Sequence, residues 1–142
     1  MELSPLGVLA TSGTLRAAEG VVLPHVWTKE GVVAAPVTNG AHLLHLSVAF
    51  CVLNDTYREA ERLGVPVDGV SVEADGNFDE EWCSTGIEYA VTIDARASTE
   101  DLKRLRVVVD AVAEIPRALR AGAAVKPRDD RRSLAGHTDD VS

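Results

Sequence analysis

The chain has 142 residues, enough for one domain with a substantial core and too few for two. Hydrophobic residues make up 46% and aromatic residues only 4%, so the core is aliphatic, and a formal net charge of -8 argues against the basic face that nucleic acid or an anionic membrane requires. No apolar run reaches the length of a membrane-spanning helix.

The opening residues Met1, Glu2, Leu3 and Ser4 lack the basic n-region of a signal peptide, so the expected compartment is the cytoplasm. Cys51 and Cys83 are far apart in sequence and in a reducing compartment are expected as free thiols. From 6 to 37 short β-branched runs recur: Val8-Leu9, Val21-Val22-Leu23, Val26-Trp27 and Val32-Val33. Glycines separate them, predicting N-terminal antiparallel strands, two or three in number. Pro24 and Pro36 fit only at edges or ends, because neither donates to a ladder.

A long helix is predicted over 40–63. Thr38 and Asn39 supply capping oxygens before it, and Gly64 offers a left-handed stop ahead of Pro66. Between Leu43 and Leu53 only His45 and Ser47 are polar. A helix apolar on every side is buried by more than one neighbour. Val70 to Ala74 and Ile87 to Ile93 alternate as half-buried strands, giving a β-hairpin over 68–96 whose acidic link, Asp75 to Gly86, is read as a long loop carrying Trp82 and Cys83.

A second helix is predicted over 99–114. Ser98 or Thr99 caps it, Glu100 and Asp101 sit at its positive end, and Leu102, Leu105, Val108, Val109 and Val112 form its apolar stripe. Pro116 interrupts or kinks it. Ala123 to Val125 is a candidate last strand. From 127 to 142 the chain is polar and without aromatic residues, which predicts a disordered tail beyond a domain of 1–126.

These elements, in this order, resemble the OsmC/Ohr family. Asn39-Gly40-Ala41 stands before Leu43-Leu44, Ala49-Phe50-Cys51 follows in the helix, and Gly64 to Val72, the hairpin, the second helix and Arg117-Ala118-Leu119 continue the pattern. The resemblance implies an α+β fold in an intertwined homodimer, with long helices inside, sheets outside and sites at the dimer interface. It also implies a small dimeric hydroperoxide reductase: the helix cysteine attacks as a thiolate, a glutamate and an arginine organise it, and a second cysteine near a proline resolves the sulfenic acid. Carried onto this chain, Cys51 is the attacking residue and Arg16 the candidate arginine. The glutamate position holds Ala41, and residues 112–117 contain no cysteine.

Helical geometry places Cys51 on one face with Leu44, Ser47, Val48, Asp55 and Arg58, and turns His42 and His45 the other way. An ionised Asp55 opposes a thiolate, and Arg58 is placed to pair with Asp55. Cys51 is therefore read either as a reactive thiol or as inert packing. Cys83 is a candidate resolving thiol or an ordinary loop thiol. His25, His42 and His45 are candidate pocket or core groups; their spacing alone makes no metal motif, and no metal or cofactor is expected. Trp27 and Trp82 are candidate pocket walls in so aromatic-poor a chain.

Two functions follow. One is a one-cysteine reductase of organic hydroperoxides or other electrophiles through Cys51, with Arg16 and Asp55 beside it and an external thiol as reductant. The other is a redeployed fold that binds or converts a small organic molecule at the interface without redox chemistry, with His25, His42, His45 and Asp55 as its candidate polar groups. Trp27, Ser47, Trp82 and Cys83 are further candidate pocket residues.

Overall fold

The computed structural model describes residues 1–129. The polar tail expected over 127–142 thus lies almost wholly outside the described residues.

The α+β class is borne out. Among the described residues five strands form one antiparallel sheet: β1 (Val8–Gly13), β2 (Val21–Leu23), β3 (Val32–Ala35), β4 (Val67–Phe78) and β5 (Ser84–Ala95), in the order β2-β3-β1-β4-β5. Their two-residue period decides which side is covered. Val8, Ala10 and Ser12 of β1, Val32 and Ala34 of β3, and Val70, Val72 and Ala74 of β4 are all fully buried. The Val26-Trp27 run is not a strand; Val26 is exposed and Trp27 packs partly against the core. Val26 follows Pro24 by two residues, and that proline has no N–H to give to a ladder.

Helix α1 (Gly40–Leu63) packs on the sheet. The Asn39 side chain caps it, accepting from His42 N at 2.8 Å, and Gly64 ends it with φ 74°. Val48, Ala49, Val52, Leu53 and Ala60 are buried, and Tyr57 reaches through the core to Ser12 Oγ at 2.8 Å. Leu43, 55% exposed, breaks the all-round burial.

The hairpin is longer than its alternating cores indicate. Strand pairing runs on through the polar segment to Phe78 opposite Ser84, leaving a five-residue loop where a long one is expected. Polar sequence is no bar to pairing when one face is solvated. Gly76 lets β5 approach, since a Cβ there would sit 2.4 Å from Gly86 O. Asp79 closes the loop by accepting from the backbone N–H of Glu81 and of Cys83, both at 2.9 Å.

Helix α2 (Thr99–Val112) buries Leu105 and Val109 against α1, and α3 (Glu114–Ala121) follows after Ala113. The break falls at Ala113 because Pro116 has no N–H for the Val112 carbonyl and its ring would strike that carbonyl. Within α3, Pro116 sits in the first turn, where no helical N–H is lost. Ala123 to Val125 is not a strand, and Val125 is 92% exposed.

Candidate functional site

The break before α3 builds the site. It turns Glu114 and Ile115 onto α1 beside Cys51, so residues from β2, α1 and α3 line one open groove of about 620 Å³. Its apolar wall is Leu23, Pro24, Leu43, Leu46, Phe50 and Ile115; its polar end is Ser47, Cys51, Asn54, Asp55, Arg58 and Glu114.

Cys51 Sγ lies 3.9 Å from Asp55 Oδ2 and 3.7 Å from Glu114 Oε2. Burial pushes the thiol up, and both carboxylates push the same way; the backbone N–H groups of Ile115 and Glu114 oppose them. Net, Cys51 favours the neutral thiol. Arg58 is drawn to the acids: it reaches Asp55 at 3.2 Å, Glu59 at 3.2 Å and Glu114 at 3.3 Å. Asp55 is 1% exposed, and burial raises its carboxyl despite hydrogen bonding by Asn54 and the charge of Arg58. Glu114 is lowered, its own backbone N–H and Arg58 favouring the anion. The two carboxyls share one guanidinium, so they are electrostatically linked.

The expected site residues separate into different regions. Ser47 lines the groove with Cys51 and Asp55, although its hydroxyl already donates to Leu44 O at 2.6 Å. Arg16 does not reach the thiol within this chain: it is exposed and donates to Glu30 O at 3.4 Å, because its strand end faces the β2–β3 connection. His25 stands behind the groove wall, its ring 5.7 Å from Phe50 and 5.4 Å from Tyr57, with Nδ1 against Thr28 Oγ1 at 2.8 Å. Burial lowers its pKa, offset in part by Asn54.

His42 and His45 lie on the far side of α1, both buried. His42 Nε2 donates to Pro5 O at 2.9 Å while its Nδ1 accepts from Thr38 N; His45 Nδ1 donates to Leu6 O at 2.7 Å. They hold the N-terminal segment rather than line the groove. Trp27 is outside the groove lining, and Trp82, 81% exposed, shares the distant hairpin loop with exposed Cys83. Leu44 and Val48 also leave the Cys51 face, turning to a second cavity with Pro116 and Leu119.

Sequence reasoning missed Glu114. The available signal was its place in residues 112–117, the segment that the resemblance sets opposite the helix thiol. Cys51, Asp55 and Glu114 also offer ligand atoms within 4.8 Å of one another, but Arg58 already occupies both carboxylates.

An antiparallel sheet covered by a long helix, with a thiol at mid-helix facing the start of a later helix, defines a small α+β thiol-bearing domain. The family model for OsmC-like protein matches residues 35–128, most of the chain. The chain belongs to the OsmC-like protein family. Among solved structures, an OsmC-like hydroperoxide resistance protein from Jannaschia sp. CCS1 is similar, at 14% identity over 89% of this chain and 97% of that one, with a TM-score of 0.49. No curated protein matches. Among the described residues no helix is long and apolar enough to cross a membrane.

Proposed function

We propose that this OsmC-like protein binds a small organic molecule in the groove along α1, as a homodimer in the cytoplasm, and that the binding does not depend on peroxide reduction by Cys51. The carrying observation is the charge around the sulfur: two carboxylates bear on it, and the guanidinium beside them is already paired. A peroxidatic cysteine must ionise, and this surrounding favours the thiol. The apolar wall from Leu23 to Ile115 supplies the contact surface that a ligand of modest size requires.

The test treats the purified protein with one equivalent of an organic hydroperoxide, then dimedone, and reads intact mass. Little sulfenic acid at Cys51 is expected, while native mass spectrometry or calorimetry with apolar small molecules should detect binding that Leu43→Asp, at an exposed position of the groove wall, abolishes. Rapid oxidation with turnover by an added dithiol sinks this reading.

A second reading draws on the placing of Cys51 against the start of α3, whose backbone N–H groups at Glu114 and Ile115 favour a thiolate, though burial and the carboxylates outweigh them. On that reading Cys51 is a one-cysteine reductase of hydroperoxides or other electrophiles, regenerated by an external thiol.

A further inference from the structure

We propose that Glu114 acts as a carboxylate gate on Cys51: seated by Arg58, it holds an anion against the sulfur and cancels the thiolate cradle that the start of α3 would otherwise provide. Glu114 is a positioning residue in this scheme, acting only through the thiol, and the inference stands whichever ligand the groove takes.

Four observations carry it. Helix α3 begins without a side-chain cap, and the backbone N–H groups of Ile115 and Glu114 favour a thiolate at Cys51, the Glu114 N–H being shared with that residue's own carboxylate. Glu114, its first residue, places Oε2 3.7 Å from Sγ. The other oxygen of the same carboxylate is tied to Arg58 at 3.3 Å, so the side chain is fixed beside the thiol although it is 65% exposed. Arg58, on the Cys51 face of α1, meets an acid that also meets the sulfur: Asp55 Oδ2 lies 3.2 Å from the guanidinium and 3.9 Å from Sγ. One side chain therefore opposes the thiolate directly and joins Asp55 and Glu59 in pairing with Arg58. Replacing that charge leaves the helix start acting on the sulfur with one carboxylate, Asp55, against it instead of two.

The experiment uses the full chain with Cys83→Ser, so that Cys51 is the single thiol, and follows its alkylation by iodoacetamide across pH. Glu114→Gln, which keeps an acceptor for Arg58, should lower the midpoint of the rate profile and raise the rate near neutral pH roughly threefold to tenfold, one pH unit of midpoint being worth tenfold. Glu114→Lys, at the same exposed position, should lower the midpoint further. The limiting rate at high pH separates charge from cover: a role in steric shielding alone raises that plateau and leaves the midpoint in place. An unchanged midpoint in both variants, whatever the plateau does, overturns the gate.

Discussion

Cys51 and Glu114 meet across the junction of α1 and α3, Sγ 3.7 Å from Oε2, although 63 positions separate them in the chain. The contact exists because α2 stops at Val112 and a separate helix, α3, begins at Glu114 with Pro116 in its first turn. The OsmC/Ohr resemblance puts a resolving thiol in this segment; here the segment brings an acid and Ile115 instead. That exchange adds a second carboxylate beside Cys51, on top of the burial and the Asp55 charge that its position on α1 already imposes.

The wild-type thiol should alkylate slowly at neutral pH. Burial and the two carboxylates hold Cys51 above an ordinary cysteine, so the rate profile of the Cys83→Ser protein should have its midpoint above that of free cysteine in the same buffer. Asp55→Asn should move it downward. A midpoint at or below that of free cysteine would show that the helix start already prevails.

His42 and His45 should behave as structural donors. Each gives one ring N–H to a backbone carbonyl of the N-terminal segment, and removing a buried donor costs about 1–3 kcal/mol. Urea denaturation of His45→Ala should show a loss of at least that size, because a cavity is added to the lost bond. Ligand binding in the α1 groove should survive in the folded variant; its selective loss with stability intact would return both histidines to the candidate site.

Asp75 should make the fold sensitive to acid. Burial raises its carboxyl, but the hydrogen bonds from Ser4 N, Ser4 Oγ and Gly76 N outweigh that and hold it below the ordinary value. The unfolded chain therefore binds this proton more readily. The stabilisation is fully present above the ordinary carboxylate value, about 3.9, and is lost as pH falls through the lower folded one. Asp75→Asn should cost about 1–3 kcal/mol near neutral pH and flatten the acid limb of a Tm against pH curve. An acid limb identical to wild type would place the sensitivity elsewhere.

Two core substitutions calibrate these numbers. Leu53 is fully buried at the centre of α1, and Leu53→Ala should cost about 2–5 kcal/mol by urea denaturation. Tyr57→Phe removes only the bond to Ser12 Oγ, which still donates to Val70 O, and should cost about 1 kcal/mol. If Tyr57→Phe proved as damaging as Leu53→Ala, the Ser12–Tyr57 bond would be part of a larger network.

The sequence by itself determined what depends on neighbours in the chain. Alternation in 70–74 and 87–93, the cap at Asn39, the stop at Gly64 and the proline at 116 specify an α+β chain with one long buried helix, because each acts within a few residues of itself. The Asp55–Arg58 pair was legible for the same reason, being one helical turn apart. Only the tertiary structure decided the site. Where the strand end carries Arg16, which carbonyls pass over His42 and His45, and which face α3 turns to Cys51 all follow from how separate elements pack. Glu114 is polar, exposed and unremarkable in its own helix, so nothing local marks it. It becomes part of the site because packing α3 on α1 brings its charge within 3.7 Å of a half-buried sulfur.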